Sequence, residues 1–104
     1  LTPRNAWEDR DSTIIMRVNK TFRLWTKQIA EEHHVLFIDL NDISARKFEK
    51  FGKNKVKYMF YIGRIHTSAF GAKANAESAA DGIRTYEGLE LVNYLKPVPN
   101  WWFR

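Results

Sequence analysis

His66 is the residue of this chain whose type and setting best suit general-base chemistry. It lies within residues 61–72 (YIGRIHTSAFGA), on a predicted turn between an aromatic-rich segment and a small-residue helix. A loop held between rigid elements is where an α/β hydrolytic enzyme can place a catalytic imidazole. Such a base needs a nucleophile to serve, and the chain shows no convincing one.

Two other places carry residue types that can do chemistry. His33 and His34 form a polar turn. A metal site there would need a third ligand that the sequence does not supply, so neither a metal nor a cofactor is expected. Asp39 ends an apolar run, where its carboxylate could orient an imidazole at the end of a parallel strand or cap the helix that follows.

Hydrophobic periodicity indicates the elements that would position these residues. Val18, Phe22, Trp25 and Ile29 form one stripe of a helix predicted over about residues 15–32. Residues 35–40 (VLFIDL) predict a buried parallel strand, which lacks a partner unless residues 1–7 or another chain provide one. Further helical segments are predicted at 41–51 before Gly52, at 53–60, at 68–86 after a cap at Thr67 or Ser68, and at 89–95.

Composition limits the classes of partner. The 104 residues suit one small domain, 44% of them are hydrophobic, and the absence of cysteine excludes disulfides and thiolate chemistry. No apolar run approaches the roughly 20 residues that span a bilayer, so no membrane contact is expected. The net charge of +5 is scattered, and residues 46–57 read as the solvated face of amphipathic helices. Nucleic acid is not expected as a partner, because no binding motif accompanies the charge.

Several segments together resemble the C-terminal half of an SGNH (GDSL-type) hydrolase, closest to the rhamnogalacturonan acetylesterase branch. The resemblance lies in residues 1–5 (LTPRN), 35–41 (VLFIDLN) and 66–72 (HTSAFGA), and residues 75–83 are similar to the closing helix of that family. It extends to about Lys96. The order of the His-Thr-Ser-x-x-Gly-Ala run after an Ile-Asp-Leu strand makes the similarity more specific than either motif alone.

The resemblance implies an α/β fold class, here a partial flavodoxin-like three-layer sandwich whose helix-rich C-terminal portion holds one or two parallel strands. Residues 1–104 would be a single partial domain, with an aromatic tail at 97–104. The family hydrolyses esters with a Ser nucleophile, a His base and an Asp three residues before that His. His66 matches the base, whereas Gly63 stands where the family has Asp. The family's Gly-Asp-Ser and Gly-x-Asn-Asp blocks have no counterpart here.

The four serines of the chain do not replace the missing nucleophile. Ser12 follows Asp11 and so echoes the family's Asp-Ser pair, but it lies in a polar turn rather than after a buried strand. Ser68 is more simply explained as the cap of a helix. Ser44 and Ser78 fall within predicted helices and are expected to be inert.

The sequence therefore predicts the C-terminal portion of a carbohydrate esterase, acting on acetyl esters of a pectic or related polysaccharide, with His66 as its base. The chain alone is expected to be inactive, and self-association or pairing with a companion N-terminal fragment is expected. The resemblance implies a secreted or periplasmic location. The alternative is a non-catalytic basic module that binds an anionic polymer or a protein partner, in which the aromatic residues Trp101, Trp102 and Phe103 could take part.

Overall fold

A computed structural model of the chain describes residues 2–17 and 21–97. The regular elements over these ranges are helices: α1 (Phe22–Glu32), α2 (Leu40–Phe51), α3 (Lys53–Val56) and α4 (Ala69–Arg84). Two 3₁₀ turns cover Lys57–Met59 and Glu90–Tyr94. Among the described residues, extended pairing is limited to two isolated antiparallel bridges, between Trp7 and Ile15 and between Phe60 and Thr67.

The core forms where α4 packs against α2 and against the Lys57–Met59 turn. Phe48 of α2 is fully buried, and its ring meets that of Phe60 edge to face, with centroids 5.8 Å apart. Burying a side chain of this size contributes roughly 1.5–3 kcal/mol, so this pair is a large part of the stabilisation of a small core. The other buried apolar residues of the cluster are Ile15, Ala45, Val56, Met59 and Ala74.

Two glycines allow α4 to approach the rest of the structure closely. A Cβ atom on Gly71 would lie 2.0 Å from the carbonyl oxygen of Met59, and one on Gly82 would lie 2.3 Å from a methyl of Ile38. Both distances are far below van der Waals contact. The small residues predicted for this helix therefore set its packing distance.

The predicted helix over residues 15–32 is wrong in its first part, because α1 begins only at Phe22. Ile15 instead bridges Trp7 and is fully buried in the core, with its N–H donating to Oε1 of Glu49 at 3.0 Å. Arg17 makes ion pairs with Asp42 and Glu49 of α2. These contacts hold residues 15–17 against α2 in a non-helical conformation.

The predicted α/β fold class, with its parallel strand and three-layer sandwich, is wrong for the described residues. Residues 35–39 are irregular, and Leu40 already belongs to α2. The hydroxyl of Tyr86 donates to the carbonyl of Phe37, and Asp39 caps α2 through a bond from the Asp42 N–H. A strand needs a neighbour to pair its backbone groups, and the described ranges offer this segment none.

Much of the apolar surface of α1 and of the segment that follows it is exposed. In α1, Phe22 is 66% exposed, Trp25 51% and Ile29 56%, and Val35 and Leu36 after it are similarly exposed. Val18, the remaining member of the stripe, and the aromatic residues Trp101, Trp102 and Phe103 lie outside the described residues. The apolar periodicity thus predicted a helix correctly, but it did not reveal that the apolar face of this helix is exposed to solvent.

Candidate functional site

The loop that carries His66 is closed at its base. Phe60 and Thr67 form an antiparallel bridge across it. Inside that bridge the N–H of Tyr61 donates to the carbonyl of His66 at 2.9 Å, and outside it the N–H of Ser68 donates to the carbonyl of Met59 at 2.9 Å. Since Met59 and Phe60 are buried, the loop is anchored in the core while residues 61–66 project outward.

The imidazole of His66 is exposed, as is the rest of the loop tip. It has no hydrogen-bond or ion-pair partner among residues 2–17 and 21–97. The loop is held from the side as well, because the N–H of Asn5 donates to the carbonyl of Arg64 at 3.0 Å. The predicted base thus lies at an anchored, solvent-facing position, with no group of the described chain orienting its ring.

Gly63 occupies the position where the SGNH family, which the sequence resembles, has a carboxylate. Its φ is +102°, a value that residues with a side chain rarely adopt, and nothing lies within 4 Å of where a Cβ would be. The space for a side chain is open, so the obstacle to a carboxylate here is the backbone conformation rather than crowding.

Asp39, the other predicted orienter, is committed elsewhere. Its Oδ1 accepts from Nε of Arg23 at 2.9 Å and from the N–H of Asp42 at 3.2 Å, and its Oδ2 pairs with the same guanidinium. The hydrogen bond from Arg23 is the main reason that the pKa of Asp39 lies below its ordinary value. The interpretation of Asp39 as a helix cap is confirmed.

Ser68 is the N-cap of α4, as its position suggested. Its Oγ accepts from the N–H of Gly71 at 3.3 Å and donates to the carbonyl of Tyr58 at 2.7 Å. The hydroxyl proton that a nucleophile would surrender is already donated to the backbone. This hydroxyl therefore serves to join the Lys57–Met59 turn to the start of α4.

The remaining serines also lack the setting of a nucleophile. Ser12 lies in an exposed turn in which Asp11 accepts from both the N–H and the hydroxyl of Thr13. Ser78 is fully buried and donates to the carbonyl of Ala74 at 2.8 Å. Ser44 is fully buried in α2. The structure brings none of these three hydroxyls to the His66 loop by any hydrogen bond among the described residues.

The two-histidine turn ends α1. His33 is the C-cap of that helix, and His34 has a φ of +52°. Both side chains are exposed. No group of three His, Asp or Glu side chains within residues 2–17 and 21–97 is arranged to hold a metal ion.

A polar cleft that the sequence did not predict lies beside the His66 loop. It has a volume of about 550 Å³ and lies between the N-terminal segment, α3 and the loop. Its lining includes three cations, Lys53, Lys57 and Arg64. The available signal was the pair of lysines spaced four apart. Glu49, four residues before Lys53, pairs with Arg17.

Glu77 is a second feature that the sequence did not reveal. This α4 carboxylate is only 5% exposed, and its Oε1 has no hydrogen-bond partner among the described residues. Burial raises its pKa above the ordinary value, although Lys47, 3.9 Å from Oε2, acts in the opposite direction. It lies between α4 and α2 and is a packing feature rather than part of the loop.

No helix of the described ranges has the length and apolar character needed to cross a bilayer. Comparison of the chain with family models, with curated proteins and with solved structures found no match to any of them.

Proposed function

We propose that this chain supplies the general-base segment of a carbohydrate acetylesterase whose serine nucleophile lies on a separate segment. The observation that carries the proposal is the placement of His66, exposed on a loop that is closed by the Phe60–Thr67 bridge. An imidazole presented in this way is free to meet a hydroxyl group from outside the described residues. The proposal concerns the chemistry of the loop and does not require the α/β sandwich.

In the proposed reaction, His66 takes the proton of a serine hydroxyl as that oxygen attacks the acetyl carbonyl. The imidazolium then returns the proton to the leaving sugar alkoxide. The sequence resemblance of residues 66–72 supports this role, and it suggests an acetylated pectic or related polysaccharide as substrate. A base without a nucleophile and oxyanion donors gives no turnover, because these groups act as a unit.

Labelling with a serine-reactive phosphonate tests where the nucleophile lies. The chain alone should show no labelling and no hydrolysis of an aryl acetate above background. The product of the complete parent reading frame should be labelled on a serine outside residues 1–104. Labelling of Ser12 in the chain alone, with loss of turnover in Ser12→Ala but not in Ser44→Ala, would overturn the proposal and make this chain a complete enzyme.

A non-catalytic binding module is the second candidate, and the exposed apolar face of α1 favours it. Phe22, Trp25 and Ile29 are each more than half exposed, and contiguous apolar surface of this kind commonly marks an interaction site. Gly63 also fits this candidate, because it provides no carboxylate to orient His66.

The sedimentation coefficient of the chain tests whether the α1 face is an interaction surface, as this second candidate requires. An interaction face on α1 predicts self-association at micromolar concentration that Trp25→Glu abolishes, with Tyr94→Glu as a control at an exposed aromatic residue outside α1. A monomer with a sharp near-UV circular dichroism signal would speak against an interaction through α1.

A further inference from the structure

The loop that carries His66 has an apolar tip that the described fold does not cover. Ile62 is 100% exposed, and Tyr61 and Ile65 are each more than half exposed. Single exposed apolar side chains are common on protein surfaces. Three of them within one short loop form a patch of the kind that marks an interaction surface.

The loop holds this tip away from the core in a fixed position. The Phe60–Thr67 bridge closes its base, and the N–H of Asn5 donates to the carbonyl of Arg64 on its flank at 3.0 Å. Three extended residues on each side of the tip span at most about 10 Å. Segments that bind a bilayer surface bury their apolar side chains about 5–10 Å deep. The tip is therefore long enough to reach that depth while the core stays in water.

The stretch of chain around the loop carries charge of one sign. No Asp or Glu occurs between Glu49 and Glu77. The exposed cations of this interval that precede the loop or lie within it are Lys53, Lys55, Lys57 and Arg64. Three of these four line the cleft beside the loop, where Asp9 is the carboxylate among the described residues. The positive charge is thus a property of the whole stretch and does not depend on how any one side chain pairs.

The exposed apolar face of α1 does not share this charge. Lys27, Glu31 and Glu32 are exposed on the same helix, and Lys27 lies 3.9 Å from Glu31. Apolar surface beside charges of both signs suits a protein partner, whereas apolar surface beside positive charge alone suits an anionic one. The two exposed patches of the chain therefore fit different partners.

The types of side chain on the loop favour a lipid surface over a nucleic acid. Tyr58 and Tyr61 are exposed, and tyrosine is enriched where a membrane meets water, because its ring is apolar and its hydroxyl is polar. Exposed aromatic rings also stack on the bases of single strands. Ile62 and Ile65 have no such role, and they gain stability only where apolar groups surround them. The aliphatic tip therefore decides between the two anionic partners.

We infer that the tip of the His66 loop docks on the surface of an anionic lipid bilayer, with Ile62 among the lipids and with Lys53, Lys57 and Arg64 at the headgroups. Docking at the surface needs no membrane-spanning segment, so the short apolar runs of the chain do not oppose it. The inference stands on the exposure, anchoring and charge of the loop. It is independent of the proposed esterase function.

Co-sedimentation of the 104-residue chain with lipid vesicles tests the apolar contribution. The chain should bind vesicles of equimolar phosphatidylcholine and phosphatidylserine more tightly than vesicles of phosphatidylcholine alone. Ile62→Ser should lower the partition coefficient at least about tenfold, because an inserted isoleucine loses its apolar surroundings. A side chain that is 100% exposed has no packing to lose, so this variant should keep the fold. Ile29→Ser, on the exposed face of α1, is the matched control and should bind like the unmodified chain.

The same vesicles test the charge. Lys53→Gln/Lys57→Gln should weaken binding about tenfold or more, since a cation near an anionic membrane contributes about 1 kcal/mol. The double variant Lys27→Gln/Lys96→Gln removes the same charge outside this stretch and should change binding less than about threefold, because the attraction falls off within a Debye length. Added salt should weaken the binding of the unmodified chain.

A fluorophore at the loop tip reports insertion itself. The chain has no cysteine, so Ile62→Cys and Ile29→Cys each provide one site for an environment-sensitive dye. Emission from position 62 should rise and shift to the blue when anionic vesicles are added. Emission from position 29 should stay unchanged.

Four results would overturn the inference. The first is no binding to the anionic vesicles, and the second is equal weakening by Ile62→Ser and Ile29→Ser. The third is binding of single-stranded DNA as tight as that of the vesicles and unaffected by Ile62→Ser, because the loop would then be a general polyanion surface. The fourth is a dimer that Ile62→Ser dissociates in the absence of vesicle binding, which would make a second copy of the chain the partner of the loop.

Discussion

The N–H of Asn5 donates to the carbonyl of Arg64 across 3.0 Å, which joins the N-terminal segment to the side of the His66 loop. These two residues lie far apart in the sequence, and the structure makes their segments neighbours. The loop is thus fixed at its base by the Phe60–Thr67 bridge and on its flank by Asn5. Anchoring at two points restricts where the imidazole can move.

Replacing Ser68 should weaken the junction between the loop and α4. Ser68→Ala removes the cap on the Gly71 N–H and the bond to the Tyr58 carbonyl, and loss of such a cap costs about 1 kcal/mol. Urea unfolding measures this cost. Ser12→Ala, in an exposed turn, is the control and should change the free energy of unfolding by less than about 0.5 kcal/mol. Equal effects of the two variants would contradict the structural role of Ser68.

The two close-packed glycines of α4 should differ in their tolerance of a methyl group. In Gly71→Ala the new Cβ meets the backbone carbonyl of Met59, whereas in Gly82→Ala it meets side-chain atoms of Ile38 and Ile43. Backbone yields less readily than side chains, so Gly71→Ala should destabilise the fold by about 1–3 kcal/mol and Gly82→Ala by less. Thermal melting of both variants gives the order. A larger loss in Gly82→Ala would refute this packing.

Buried Glu77 should make stability depend on pH. Its pKa is raised in the folded state above the model-compound value of 4.5, so the folded chain holds this proton more tightly than the unfolded chain does. Stability contributed by this group is therefore present at low pH and falls as pH rises from 4.5 through the folded pKa. Glu77→Gln should remove that part of the fall, and Glu90→Gln, in an exposed turn, should leave it unchanged. Parallel pH profiles for Glu77→Gln and the unmodified chain would contradict the assignment.

Introducing a carboxylate at position 63 should help the base if the proposed esterase site is completed by another segment. In the serine proteases, replacing the aspartate beside the catalytic histidine lowers turnover by about 10⁴. We expect Gly63→Asp to raise turnover of the complete protein. Gly63→Asn carries the same strain at φ +102° without the charge and is the control. An equal rate in the two variants would mean that no carboxylate at this position assists His66.

The sequence predicted the helices around the loop better than it predicted what lies between them. Ser68 as a cap, and α2 ending before Gly52, follow from local chemistry that acts within a few residues. The apolar run at residues 35–40 carries no such local information, because the same residues suit a buried strand or an irregular connection. Whether this run forms a strand depends on a pairing partner, and a partner comes from a distant part of the chain.

The candidate site was only partly accessible to sequence reasoning for the same reason. The sequence motif suggested His66 as a base, which stays a prediction, and its loop position follows from the flanking elements. The charge of the neighbouring cleft depends on which nearby carboxylates pair with its cations. Glu49 forms its ion pair with Arg17, which comes from another segment. A sequence shows which charged residues exist, while the contacts of the folded chain decide which of them form ion pairs.

Hydrolysis of an acetylated oligosaccharide by the complete protein, with and without His66, tests the central claim most directly. His66→Ala should lower kcat by at least about 100-fold, since general-base catalysis contributes about 10²–10⁴. His34→Ala, which removes an exposed imidazole from the turn after α1, should leave kcat unchanged. Turnover that survives His66→Ala at the level of His34→Ala would contradict the assignment of this loop as the source of the base.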